Sequence, residues 1–351
     1  VRVAFLSSTP SSAREGSGTF VGLDGLRRGL IRAGHDVEFR ALELRTRFHT
    51  LDRWLYNVMV AARPPAADRV VGVDLDGFVW ARRRRRPPYA VMLKGIIADE
   101  LRHERGVVRL LLALQARWER VNCARADRVI VPSRYSAGVA ASVYAIPPAS
   151  VAVVPEPIDL AAWRRLFEAA GGAAPRPTVL AVARFYPRKR LQDLLAAAVP
   201  LRARIPDVQI RIVGDGPESP RLRRLHAELG LGESVVFLGE VSRVTLAVEY
   251  RRAHCFCLPT VQEGFGLVFA EAMAAGLPVV APRAAAVPEV VLDGRTGLLV
   301  APRSPHALAT ALETVLTNET LRRELGEAAR RHVEAFDVDR VTAAFLAALP
   351  A

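Results

Sequence analysis

Glu263-Gly264-Phe265-Gly266-Leu267-Val268-Phe269-Ala270-Glu271, continued by Ala272-Met273-Ala274-Ala275-Gly276-Leu277-Pro278-Val279-Val280, reads as a loop, then a helix, then a strand. Two acids bracket a Gly-x-Gly turn that runs into the helix. The first turn of a helix offers backbone N–H groups and the positive end of the helix dipole, which suits a phosphate. Gly264 and Gly266 let backbone approach a ligand with no Cβ in the way. Glu271 follows Glu263 by about two turns at 3.6 residues per turn, on nearly the same face. Carboxylates placed this way can accept hydrogen bonds from sugar or ribose hydroxyls. One glutamate alone would read as a helix-cap acid; the whole run points to a ligand.

A second half of the same pattern lies upstream. Residues 179–183 are a buried-strand pattern that ends in Arg184-Phe185-Tyr186-Pro187-Arg188-Lys189-Arg190, after which a helix begins. Arg184 and Lys189 therefore share one strand-to-helix loop, where parallel α/β sheets bind ligands. Two cations there suit a diphosphate. Of the 49 basic residues only Lys94 and Lys189 are lysines. A lysine kept in so arginine-rich a chain suggests a compact point charge that a planar guanidinium does not replace.

At these residues the chain resembles the group 1 family of retaining, nucleotide-sugar-dependent glycosyltransferases with the GT-B fold. Glu263 and Glu271 match its Glu-x7-Glu motif, and Arg184 and Lys189 its Arg-x4-Lys pair. Supporting segments fall in the family's order: Val154-Pro155-Glu156-Pro157, Val213-Gly214-Asp215-Gly216, Phe237-Leu238-Gly239, Pro288-Glu289 and Gly294-Arg295-Thr296-Gly297. The resemblance implies an α/β protein of two Rossmann-like domains with parallel sheets facing across a cleft. Residues 1–158 would form the acceptor-side domain and 159–335 the nucleotide-sugar domain. Residues 336–351 would be a helix crossing back to the first domain. Arg184 and Lys189 would take the charge of the departing diphosphate, and Glu263 would orient the donor sugar. Gly264, Phe265, Gly266 and Leu267 would bind the donor, and Glu271 its ribose. Gly16 and Gly18, on a glycine-containing loop after the first strand, would face the donor phosphates.

Two segments depart from the family pattern. Relatives carry a histidine near the fourth strand, where this chain has Lys94. That lysine is a candidate for the acceptor side, with an ion pair to Asp99 or Glu100 as the alternative. Relatives also carry Gly-Gly where Ala285-Ala286 stand, which restricts backbone approach. Asp74-Leu75-Asp76 looks like the Asp-x-Asp metal site of the other major glycosyltransferase fold. In a GT-B protein, Asp74 and Asp76 read instead as acceptor-side loop residues. No metal and no cofactor are expected beyond the nucleoside diphosphate sugar as co-substrate.

Composition sets bounds around this reading. A length of 351 residues suits two domains. No apolar run reaches the ~18 residues of a membrane span, and residues 1–8 lack the features of a signal peptide. The expectation is a cytoplasmic protein, with a peripheral place at the inner membrane face. Cys123, Cys255 and Cys257 have neither zinc nor disulfide-framework spacing and read as core residues. The net charge is +13, and residues 1–160 hold 25 basic against 16 acidic residues. The densest patch, residues 82–86, is five arginines. It reads as a solvated loop or as a contact with anionic lipid. Nucleic acid is not expected, because no binding motif or interleaved aromatics accompany the charge.

Alternating patterns predict strands at 1–7, 37–40, 69–73, 89–93 and 128–131, with helices at 22–32 and 105–124 between them. The cycle restarts after an Ala/Gly/Pro-rich stretch at 169–177. Strands follow at 178–183, 208–213, 235–238, 254–258, 279–281 and 297–300, and a helix at 340–349. The function expected is transfer of a sugar from a nucleoside diphosphate to an acceptor hydroxyl, in polysaccharide or glycolipid assembly. The acceptor would be a carbohydrate or lipid-linked. The rivals are an epimerase or phosphorylase on the same fold, and a non-catalytic basic binding protein.

Overall fold

Short runs of β-branched and aliphatic residues, each followed by an amphipathic stretch, build strand–helix units whose strands are buried on both faces. The computed structural model describes residues 1–9, 13–42, 46 and 48–351, with residues 13–17 described as backbone alone. The chain divides into two compact units. The first contains β1 (Arg2–Ser7), α1 (Ala13–Arg32), β2 (Asp36–Ala41), α2 (His49–Ala62), β3 (Arg69–Val73) and β4 (Tyr89–Met92). It continues with α3 (Ile97–Glu100), α4 (Gly106–Cys123), β5 (Arg128–Val131), α5 (Arg134–Tyr144) and β6 (Val151–Val153). Its six parallel strands run in the order β2-β1-β3-β4-β5-β6.

The second unit, Ile158–Asp337, contains α6 (Leu160–Glu168), β7 (Thr178–Val182), α7 (Leu191–Arg204), β8 (Gln209–Val213), α8 (Ser219–Glu228) and β9 (Val235–Gly239). Next come α9 (Arg243–Arg252), β10 (Cys255–Cys257), α10 (Leu267–Ala275), β11 (Val279–Pro282), α11 (Val287–Val290) and β12 (Gly297–Val300). Helices α12 (Pro305–Thr317) and α13 (Glu319–His332) close it. The parallel strand order is β12-β11-β10-β7-β8-β9. Val179, Leu180, Phe256, Val279 and Val280 at its centre are fully buried. The three cysteines are free and buried. Asp159 and Ser242 cap α6 and α9 by accepting from Ala162 N and Thr245 N, a start signal readable in sequence.

The final helix, α14 (Val338–Ala348), belongs to the first unit and packs on α1. Phe345 stacks on Phe5 with 5.9 Å between ring centroids, and Arg32 pairs with Asp339 at 2.7 Å. Among the described residues no helix is long and apolar enough to cross a membrane.

Candidate donor site in the second unit

Strand order decides where this site sits. In the second unit the order reverses between β7 and β10, and open parallel sheets bind ligands at the carboxyl ends of strands beside such a reversal. The loops leaving β7 and β10 hold Arg184, Lys189 and Glu263. Their backbones are stitched together: Val261 N donates to Arg188 O at 3.0 Å, and the buried Thr260 hydroxyl donates to the same carbonyl at 3.3 Å. This stitching brings the Lys189 ammonium onto the Glu263 carboxylate as an ion pair with both side chains nearly buried.

Arg184 goes elsewhere. Its guanidinium donates to Glu240 at 2.7 Å, and both side chains are half exposed. The loop carrying it is fixed by the glycine turn after β8. Phe185 N donates to Asp215 O at 2.9 Å, and Gly214 (φ 118°) lies so close that a Cβ there would sit 1.9 Å from Ala183 O. The two expected phosphate cations thus share a loop, but each rests on its own acid. Glu240 follows directly on the Phe237-Leu238-Gly239 strand end, and its place after a strand could have flagged it in sequence.

The Gly-x-Gly turn enters α10 as its composition requires. Gly266 (φ 92°) is the residue before the helix, and a Cβ there would clash with the Phe269 ring at 2.6 Å. No side chain caps α10, so its first turn keeps the anion-favouring character of a helix amino end. Phe265 is buried with its ring edge-on to Phe336 at 5.0 Å, so it anchors the loop from inside. Leu267 is half-buried in the first turn.

Glu271 is also buried, and it accepts from the Tyr250 hydroxyl at 2.9 Å. Burial pushes its carboxyl up to about 7, with the Tyr250 hydrogen bond and the Arg243 charge pulling the other way. Tyr250 was not singled out in the sequence; lying about two turns into α9, it carried no motif signal. The sequence pair Glu263 and Glu271 therefore divides into two environments, one salt-bridged and one held by a phenol.

The first unit revises several expectations. Lys94 pairs with neither Asp99 nor Glu100. Its ammonium lies 2.6 Å from Glu156, with side-chain exposures of 5% and 9%. Asp99 instead accepts from Tyr135 and Arg102. Asp76, expected on the acceptor side, is fully buried in the turn after β3 and accepts from Ser8 N at 2.6 Å, Ser8 Oγ at 2.7 Å and Asn57 Nδ2 at 3.1 Å. Asp74 is half-buried, with a left-handed backbone (φ 54°) and a carboxylate that accepts from Lys94 N at 2.8 Å. Its acidity is weakened, chiefly by desolvation. The strand reversal of this unit, between β1 and β3, is thus filled by its own side chains. Gly18 lies within α1 with open space around it and not on a loop, because the helix begins at Ala13. Glycine in a helix costs about 1 kcal/mol, which the packed later turns outweigh. Gly16 falls in the same helix, but its surroundings lie outside the described residues. In the arginine run, residues 82–85 are exposed, whereas Arg86 pairs with Asp127 at 2.7 Å and belongs to the fold.

Comparison with known proteins agrees with this geometry. Residues 165–332 match the family described as glycosyl transferases group 1, and residues 72–162 match glycosyltransferase family 4. The chain is similar to a GDP-mannose-dependent alpha-(1-6)-phosphatidylinositol monomannoside mannosyltransferase of Mycolicibacterium smegmatis. The identity is 35% over 219 residues, covering 58% of this chain and 57% of the relative. It is also similar to a D-inositol 3-phosphate glycosyltransferase of Actinosynnema mirum, 37% identical over 239 residues, covering 64% and 57%. The chain thus spans a little over half the length of these curated relatives. Among solved structures, sucrose-phosphate synthase from Thermosynechococcus elongatus superposes with a TM-score of 0.81 at 22% identity, covering 99% of this chain and 97% of that one. Anabaena HepE bound to UDP and glucose gives 0.76 at 20%, covering 99% and 98%. Two parallel-sheet, Rossmann-like units with these neighbours define the GT-B class of fold. These matches support a group 1 glycosyl transferase.

Proposed function

We propose that this protein transfers a sugar from a nucleoside diphosphate sugar to an acceptor hydroxyl, with retention at the anomeric carbon and no metal at the diphosphate. The observation that carries the reading is Lys189 held by Glu263 beside the uncapped start of α10. As the glycosidic bond breaks, the diphosphate gains negative charge, and pre-oriented donors aimed at that charge lower the barrier. Lys189 and the first backbone N–H groups of α10 supply them, with Arg184 on the same loop. When a diphosphate draws the ammonium, the Glu263 carboxylate is released to accept from donor-sugar hydroxyls. Glu271, steadied by Tyr250, accepts from the ribose hydroxyls. A phosphate oxygen of the leaving group takes the acceptor's proton.

The relatives' names guide the substrate panel. One names GDP-mannose, a structural neighbour holds UDP, and both curated relatives carry inositol in their names. GDP- and UDP-hexoses against inositol-containing soluble and lipid acceptors are therefore the first to try. We place the protein in the cytoplasm, peripheral at the inner membrane face, in glycolipid or polysaccharide assembly. The test is product analysis by mass spectrometry and proton NMR, with and without a chelator. Expected is a glycoside that keeps the donor's anomeric configuration and is formed in chelator. Epimerised donor or a sugar phosphate as product contradicts the reading, and so does activity that only manganese or magnesium restores.

A further inference from the structure

Helices α2 and α4 are amphipathic the wrong way round. The buried face of α2 carries Asp52, Arg53, Tyr56 and Asn57. That of α4 carries Gln115, Glu119 and Asn122. Most of these polar groups are hydrogen-bonded inside the first unit. Arg53 donates to Ser8 Oγ and to Gln115 Oε1, both at 3.0 Å, and Gln115 donates to Thr50 at 2.9 Å. Glu119 accepts from Ile97 N at 2.9 Å and from the Tyr144 hydroxyl. The Gln115 contacts with Arg53 and Thr50 link α4 to α2.

The apolar faces are turned to solvent. On α2 they are Leu51, Trp54, Leu55, Val58 and Met59. On α4 they are Val107, Val108, Leu110, Leu111 and Leu114, with Leu110 72% exposed. Scattered exposed apolar residues are normal, but ten of them at helical spacing on two linked helices mark an interaction surface. The charge pattern selects the occupant. Both acids of these helices, Asp52 and Glu119, are buried, whereas Arg109, Arg117 and Arg120 on α4 are exposed. The exposed arginines 82–85 adjoin α2, and Arg83 donates to Ala61 O at 2.7 Å. A second copy of this face would bring arginine against arginine. An apolar face whose exposed helix charges, among the described residues, are arginines fits acyl chains below anionic headgroups.

We propose that the α2–α4 face inserts into the interfacial layer of an anionic membrane, with the arginines on its rim. The inference rests on the membrane partner proposed above and assigns the surface that meets it. Trp54 supplies the probe. It is 43% exposed, whereas Trp80 and Trp163 are buried and Trp118 stacks on Phe78. The full chain is mixed with phosphatidylglycerol-containing vesicles and with phosphatidylcholine vesicles across a salt series. Co-sedimentation and tryptophan emission are read together. Expected are binding to the anionic vesicles only, a blue shift that Trp54→Leu removes, and weakening by salt. Leu110→Glu with Leu114→Glu should cut the bound fraction about tenfold or more. Nucleotide-sugar binding by calorimetry should stay unchanged in that variant, which also reports its folding. No vesicle binding at low salt overturns the inference and leaves the transferase reading standing. So does binding that the two glutamates do not weaken, since the arginine loop alone then suffices. Self-association that the glutamates abolish, seen by sedimentation velocity without vesicle binding, assigns the face to a second copy instead. Vesicle binding without any nucleotide-sugar binding would sink the transferase reading alone.

Discussion

At the scale of single residues, the proposed reaction turns on Lys189 and Glu271. Lys189 sits in an ion pair with little access to water, so its removal leaves Glu263 without its ammonium partner. Lys189→Ala should lower kcat by about a hundredfold to a thousandfold, the cost of one missing oxyanion-type donor. Steady-state kinetics with saturating donor reads this, and a Lys189→Ala, Glu263→Gln double variant separates lost catalysis from an unpaired carboxylate. Glu271 makes a pH prediction. Its carboxyl is raised from 4.5 to about 7 by burial, so the fold holds its proton more tightly than the unfolded chain does. The stability this gives is present below about pH 4.5 and is lost as pH rises through about 7. Ribose hydroxyls need the ionised form as acceptor, so donor affinity should rise from pH 6 to pH 8. The donor's diphosphate diester does not titrate in that range. Glu271→Gln should flatten the profile and weaken binding about tenfold at pH 8; a calorimetric pH series would show it. Lys189 stood out because the chain has only two lysines, and the two acids because their spacing around the glycine turn is specific. Tyr250 was not: it reaches Glu271 only through the packing of α9, which spacing does not encode.

Elements show where local pattern succeeds and where it fails. Nearly every strand was visible as an apolar run between turn signals. Strand β6 (Val151–Val153) was not, being three residues long and only partly buried. Helix α2 was not singled out, although Leu51, Trp54, Leu55, Val58 and Met59 carry a helical period. The first-unit pair Lys94–Glu156 joins the loop after β4 to the segment after β6, and both partners are nearly buried. Lys94→Ala should destabilise that unit by about 3–5 kcal/mol, the cost of an uncompensated buried charge. Lys94→Met with Glu156→Leu should recover most of the loss in urea unfolding. In the second unit, Ala285 adopts φ 48° in the loop before α11, where the family pattern has glycine. An L-residue pays about 1–2 kcal/mol there, so Ala285→Gly should raise stability by somewhat under 1 kcal/mol after the unfolded-state entropy of glycine is counted. Thermal unfolding should show a rise of a few degrees at most; a lower melting temperature would mean the turn is not strained.

On the scale of the whole molecule, each unit uses its strand reversal differently. In the first, Asp76, Ser8, Arg53 and Asn57 occupy it as a closed hydrogen-bond network. In the second, the reversal is flanked by an ion pair and a helix start with no side-chain cap. Sequence placed both Asp74-Leu75-Asp76 and Arg184 with Lys189 at strand ends, and both looked suited to a ligand. They differ in that Asp76 is fully buried with three donors on its carboxylate, whereas Lys189 and Arg184 are cations that each rest on a single acid. The central claim is therefore that the second unit binds a nucleoside diphosphate sugar through Lys189, Glu263 and Glu271. Calorimetric titration of GDP- and UDP-sugars into the wild-type chain and into Lys189→Ala and Glu271→Gln tests it most directly. The account expects saturable binding of one donor by the wild type, weakened at least about tenfold in each variant. Equal affinity in all three proteins, or no binding of any nucleotide sugar to the folded wild type, would contradict it.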